Sequence, residues 1–216
     1  MFQTSGISED WLQSVSTPVS ALLRELEEET NAAFPKGRHM QSGFSQGRLL
    51  ALISSLLRPD RILEIGTFTG YGSLCLAEGL AENGMLITLE NSAEHASFAR
   101  RFFEKSAFAS SIRLMEGNAA DILPALTEHW DLVYLDADKS SNRFYLEKIW
   151  PQLKPGGIIL TDNVFARGGI FKPEDEQRNF EKAVTMLNRE MPAMFPEADV
   201  FILPIRDGLS VLRKKT

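Results

Sequence analysis

The sequence predicts an α/β protein built on a mostly parallel sheet. Short apolar runs of strand length alternate with amphipathic runs of helical length, which is the pattern of βαβ units. The first apolar run ends in a glycine-bearing turn that feeds a helix, as in nucleotide-binding folds. The last two runs are joined by Arg206-Asp207-Gly208, and an Asp-Gly pair marks a tight hairpin. Five βα units followed by an antiparallel hairpin make seven strands in all.

Composition narrows the class. The chain has 216 residues, 44% hydrophobic and 24% charged, which suits one globular domain spanning residues 1–216. There is no apolar run near the ~20 residues of a membrane span. Met1 to Asp10 has neither a basic start nor an apolar core, so no signal peptide is expected. The one cysteine, Cys75, excludes an internal disulfide, fits a reducing cytosol and reads as a buried structural thiol. The net charge of −6 gives no basic footprint for nucleic acid or an anionic membrane.

Taken in order, Glu9 to Ser16 and Ser20 to Ala33 read as helices, with Val19, Leu22, Leu23 and Leu26 at helical spacing. Pro35-Lys36-Gly37-Arg38 breaks the pattern. His39 and Met40 precede a helix through Leu57, opened by Gln46-Gly47-Arg48; each alone reads as a packing or surface residue. Residues 8–57 thus form an N-terminal helical cap. Strand 61–65, helix 73–81, strand 85–90 and helix 94–105 follow. Strand 112–115 leads into Gly117-Asn118-Ala119, and strand 132–135 into Asp136-Ala137-Asp138-Lys139. A helix over 143–153 ends at Lys154-Pro155-Gly156-Gly157. Strand 158–161 ends in Asp162-Asn163. A helix over 173–189 precedes the hairpin strands 199–204 and 209–213.

The organising stretch is Glu64-Ile65-Gly66-Thr67-Phe68-Thr69-Gly70-Tyr71. Its glycine spacing departs from the G-x-G-x-x-G of dinucleotide folds. Glu64 would repel a pyrophosphate and attract a cation. S-adenosylmethionine (SAM) carries a sulfonium and an ammonium and suits such a turn; an ordinary strand-to-helix turn is the other reading. Glu90, 20 positions past Gly70, stands where an acid takes ribose hydroxyls in βαβ folds. Glu64, Glu90, Asp136 and Asp162 all end strands, and ligands in such sheets bind at the carboxyl ends of strands. Asp136, Asp162 and Asn163 are hard oxygen ligands that suit a divalent cation, Mg²⁺ first and Mn²⁺ or Ca²⁺ after it; the scarcity of Cys and His argues against zinc. Lys139 is either an ion-pair partner or a general base.

Together these residues resemble the cation-dependent O-methyltransferase family that includes catechol and caffeoyl-CoA O-methyltransferases. The resemblance runs from about Met40 to Arg213. It rests on Met40 with Gln46-Gly47-Arg48-Leu49-Leu50, the Glu64 to Tyr71 turn, Glu90 and Gly117-Asn118-Ala119. It also rests on Leu135-Asp136-Ala137-Asp138-Lys139, Leu153 to Gly157, Asp162-Asn163-Val164 and Asp207-Gly208-Leu209. The Asp-Ala-Asp-Lys and Asp-Asn pairs are its specific signals. It implies a Rossmann-like class I methyltransferase fold. It implies SAM contacts from Met40, Glu64, Gly66, Phe68 and Gly70, and from Ser73, Glu90, Ala119, Asp136 and Asp138. It implies a divalent metal on Asp136, Asp162 and Asn163, Lys139 as the catalytic base, and a cytosolic homodimer. This sequence departs from the family pattern at Gly72, Asn91, Asn118 and Asn142; Ser73 stands in for a serine usual at position 72.

The expected activity is methyl transfer from SAM to a hydroxyl of a small catechol-like acceptor. Three rivals are a tRNA methyltransferase of the same fold, a nicotinamide dehydrogenase and a non-catalytic SAM-binding module. The glycine spacing disfavours the dehydrogenase, net acidity weighs against tRNA, and the Asp-Asp-Asn-Lys set argues against the silent module.

Overall fold

A computed structural model describes residues 8–37 and 40–216; His39 lies outside them. Three helices come first: α1 (Glu9–Ser14), α2 (Ala21–Ala33) and α3 (Gly43–Leu57). Ser8 and Ser20 cap the first two, each hydroxyl accepting a backbone N–H of the opening turn, which satisfies a donor with no partner inside the helix. Then follow β1 (Arg61–Ile65), α4 (Tyr71–Ala77), β2 (Met85–Glu90), α5 (Ala93–Lys105), β3 (Ile112–Glu116), α6 (Ala119–Ile122) and β4 (Trp130–Leu135). The chain finishes with α7 (Asn142–Ile149), β5 (Leu153–Asp162), α8 (Asn179–Met194), β6 (Ala198–Leu203) and β7 (Leu209–Lys214).

The strands form one sheet in the order β3-β2-β1-β4-β5-β7-β6. The first five are parallel, and β7 runs antiparallel between β5 and β6. Order reverses between β1 and β4, so a crevice opens where their connections leave in opposite directions.

Alternation along the strands splits the core in two. Leu63, Ile65, Val133 and Leu135 pack with Leu146, Ile149 and Leu187 of α7 and α8. Ile62, Leu132 and Tyr134 face the other way, against Leu23, Leu26, Leu50 and Leu74 of the cap and α4. Cys75 is fully buried in this second layer, and burial pushes its thiol well above the usual range, so it is no nucleophile.

Two elements differ from expectation. β5 begins at Leu153, which pairs with Trp130 across a register irregularity; the Pro155-Gly156-Gly157 stretch lies inside a bulged strand, with Gly156 at φ 79°, rather than breaking the chain before it. The last long helix starts at Asn179, not at Pro173. Glu181 accepts the Arg178 backbone N–H at 2.7 Å, as the third-position acid of a capping box does, while 174–176 makes only a 3₁₀ turn. No helix among the described residues is long and apolar enough to cross a membrane.

Candidate active site

A cavity of about 860 Å³ lies over the carboxyl ends of β1, β2, β4 and β5, within the size range of small-ligand sites. Glu64, Glu90, Asp136 and Asp162 all line it.

The β1 turn builds its floor. Gly66 has φ +98°, and a Cβ there would stand 2.3 Å from the Asp136 carbonyl oxygen. Only glycine lets the β1 and β4 ends approach this closely. Glu64 is 1% exposed and accepts hydrogen bonds from the Ser73 hydroxyl and, at 2.6 Å, from the Thr88 hydroxyl. Burial pushes its carboxyl up to about 8 despite those two donors. A buried acid held this high is relieved by a cation.

Glu90 clamps the other wall. Its Oε2 accepts the Phe68 N–H at 2.7 Å and its Oε1 the Ser92 N–H at 2.9 Å. Phe68 is held at φ 48° with its ring edge-on to His95 at 4.8 Å. Ala119 lines the same end. Asn118, expected as a departure, caps α6 by accepting the Ala120 N–H at 2.9 Å.

The opposite end holds the second group of acids. Lys139 Nζ donates to Asp136 Oδ1 at 2.7 Å, so its ion-pair partner is Asp136 rather than Asp138. Burial pushes the Asp136 carboxyl up to about 6, with Asp162 adding to the rise and Lys139 opposing it. Asp162 is buried, and its Oδ1 accepts the Asn163 N–H at 2.7 Å. Asn163 lines the cavity at φ 56°. Asp138 lines the cavity too, yet its carboxylate is engaged by Ser140 and Ser141 of its own turn, which holds it below the usual range. Met40 lines the rim and is 45% exposed. Gly70 and Ser73 stand behind the wall instead: Gly70 begins α4, and Ser73 is fully buried on Glu64.

A model of the O-methyltransferase family matches residues 13–215. The chain belongs to that family. Over 130 residues it is 35% identical to a catechol O-methyltransferase of Niastella koreensis, covering 58% of this chain and 59% of that protein. It is 28% identical over 186 residues to caffeoyl-CoA O-methyltransferase 2 of Petunia hybrida, covering 81% and 76%. The chain thus spans about six tenths of the first relative's length. Its fold superposes on the O-methyltransferase from Bacillus cereus in complex with SAH with a TM-score of 0.85, at 28% identity and 96% coverage of both chains.

In this O-methyltransferase family member, Tyr134, His95 and Arg206 line the site although the sequence reading gave them no role there. Tyr134 lies in the apolar run of β4 and Gln46 in α3, yet Gln46 Nε2 donates to the Tyr134 hydroxyl at 2.6 Å. His95 sits one turn into α5. Arg206 Nη1 donates to the carbonyls of Gln41, at 3.0 Å, and Ser42, fastening the β6–β7 turn to the segment before α3. Hydrogen-bonding potential at strand interiors, such as a lone Tyr among aliphatics, is the signal that could have found the first of these.

Proposed function

We propose that this protein transfers the methyl group of SAM to one of two vicinal hydroxyls on a small aromatic acceptor, with a divalent cation at Asp136, Asp162 and Asn163. The observation that carries the reading is the placement of four carboxylates on one cavity, Glu90 and Glu64 from β2 and β1 and Asp136 and Asp162 from the ends of β4 and β5. Glu64 and Glu90 offer carboxylates suited to an ammonium and a cis-diol. Two more carboxylates and an amide offer hard oxygens. The names of the catechol and caffeoyl-CoA O-methyltransferase relatives and the SAH complex of the Bacillus protein favour the same assignment.

The donor set fits such a cation. Asp136 and Asp162 lie close enough to share one hydroxyl donor, and one lysine opposes the pair. The Asn163 side chain makes no hydrogen bond among the described residues. Three oxygen-bearing side chains without Cys or His suit Mg²⁺ best, with Mn²⁺ or Ca²⁺ as substitutes.

When bound, the cation would supply Lewis acidity that makes an acceptor hydroxyl easier to deprotonate, and SAM would supply an electrophilic methyl. Once Lys139 has given its own ammonium proton to solvent, its neutral Nζ would take the acceptor's hydroxyl proton. Glu64 and Glu90 hold the cofactor at its two polar ends, with Asp138 near by. Positioning of this kind is worth roughly 7–11 kcal/mol in well-oriented systems. The whole chain would act as one domain with residues 8–57 as the cap, and the family reading extends to a cytosolic homodimer.

The test is calorimetric titration of SAM into chelator-treated protein, then of catechol with and without Mg²⁺ while SAM is present. Micromolar SAM binding and metal-dependent catechol binding are expected. SAM binding without a metal effect would return Asp136, Asp162 and Asn163 to structural roles; no SAM binding would sink the reading of the Glu64 turn.

A further inference from the structure

Tyr134 is 1% exposed, near the carboxyl end of the parallel strand β4. It shares a face with Leu132 and pairs in register with Glu64 of β1. That face meets the cap, which brings Gln46 of α3 onto its ring tip. Three polar atoms bond to the hydroxyl, Gln46 Nε2 at 2.6 Å, Asp136 Oδ2 at 3.3 Å and Asp162 Oδ2 at 3.3 Å, and the Ser42 side chain stands beside it as well.

The direction of each bond follows from what each group can do. An amide nitrogen only donates, and a hydroxyl has one proton and two acceptor sites. The Tyr134 oxygen therefore accepts from Gln46, and its single proton is left to the two carboxylates. The equal 3.3 Å distances leave this proton able to serve either carboxylate. The far oxygen of each acid is also held: Asp136 Oδ1 by Lys139 and Asp162 Oδ1 by the Asn163 N–H. Each carboxylate is thus fixed at two points, and Tyr134 is the only group among the described residues bonded to both.

Packing does not require the hydroxyl. A phenylalanine would fill the same layer and spare the burial of a polar atom, which costs free energy unless it is bonded. We infer that Tyr134 is a positioning residue, held by Gln46, whose hydroxyl sets the two carboxylates side by side for a divalent cation and ties that site to helix α3. The inference rests on the proposed cation site. Groups that orient metal ligands from behind commonly change metal affinity about 10–100-fold when removed.

The test is Mn²⁺ titration, followed by the loss of its free-ion paramagnetic resonance signal, in the full-length protein and in Tyr134→Phe, with SAM affinity and melting temperature measured alongside. Tyr134→Phe should weaken Mn²⁺ binding about 10-fold or more while SAM affinity stays within twofold. Gln46→Met keeps the tyrosine and serves if Tyr134→Phe does not fold; it should weaken Mn²⁺ binding in the same direction, and the two losses should not add. Unchanged Mn²⁺ affinity in either folded variant overturns the positioning role. Equal losses of Mn²⁺ and SAM affinity overturn it too, since they would report general disorder. A wild-type protein that binds no Mn²⁺ sinks the cation site itself, and this inference with it.

Discussion

Lys139 Nζ rests 2.7 Å from Asp136 Oδ1, three residues before it and at the end of the same β4 connection. The amine is therefore parked on the carboxylate that a divalent cation would claim. Lys139→Ala should lower the methyl-transfer rate about 10²–10⁴-fold, the usual span for a lost general base, and leave SAM affinity within about threefold. Single-turnover rates and a SAM titration check this. An unchanged rate removes Lys139 from the chemistry.

Glu64 makes cofactor binding depend on pH. In the free protein its carboxyl keeps its proton up to about pH 8, whereas a cationic ligand favours the carboxylate. Binding should therefore release a proton below pH 8. SAM affinity should climb between pH 6 and 8 by up to about tenfold per unit and level off above. The same raised value acts on the free protein: its contribution to stability is full below the ordinary glutamate range and is lost as pH rises through about 8. Glu64→Gln should flatten both trends. Titrations in two buffers of different ionisation enthalpy, with melts at pH 6 and 8, measure them.

Chelation tests the other end of the cavity. Removal of divalent ions should abolish turnover and restore it on adding Mg²⁺, and Asp162→Asn should raise the Mg²⁺ concentration needed about 10-fold or more. Turnover that persists in excess chelator would show chemistry carried by Lys139 without a cation.

Glu181 anchors the loop beside the site. It is fully buried, and the Arg178 guanidinium and N–H together with Lys172 hold its carboxyl down to about 2. Its contribution to stability is present above the ordinary glutamate range and is lost as pH falls toward 2. Glu181→Gln should lower the melting temperature at pH 7 and flatten the acid limb. Gly169, where a Cβ would stand 2.5 Å from Glu181 Cδ, packs directly on it, so residues 166–172 should become more open to protease. A variant with wild-type melts at pH 7 and pH 4 would remove the anchor role.

The parallel strands are readable because acids stand at their ends: Glu64, Glu90, Asp136 and Asp162 mark where chain leaves core for cavity. Ser73 shows what spacing alone misses. The resemblance implies that it stands in for a serine usual at position 72, and the fold seats its hydroxyl on the Glu64 carboxylate. Tyr134 was hidden for the opposite reason, since it reads as one more core residue and its partner Gln46 lies 88 positions away. The start of α8 was misplaced because Pro173 and three following acids imitate a helix opening, whereas the effective cap is the Glu181 carboxylate.

The Arg206 clasp on Gln41 and Ser42 joins positions 165 residues apart. During synthesis the cap can pack early, through Arg48 on Glu78 and Gln46 on Tyr134, but the segment before α3 must wait for the β6–β7 turn to receive this clasp. β1, β2 and β4 can pair, and the cavity floor can exist, while the rim at Met40 still has no partner. A chain clipped before residue 206 would lose this clasp together with β7, the strand that joins β6 to the rest of the sheet.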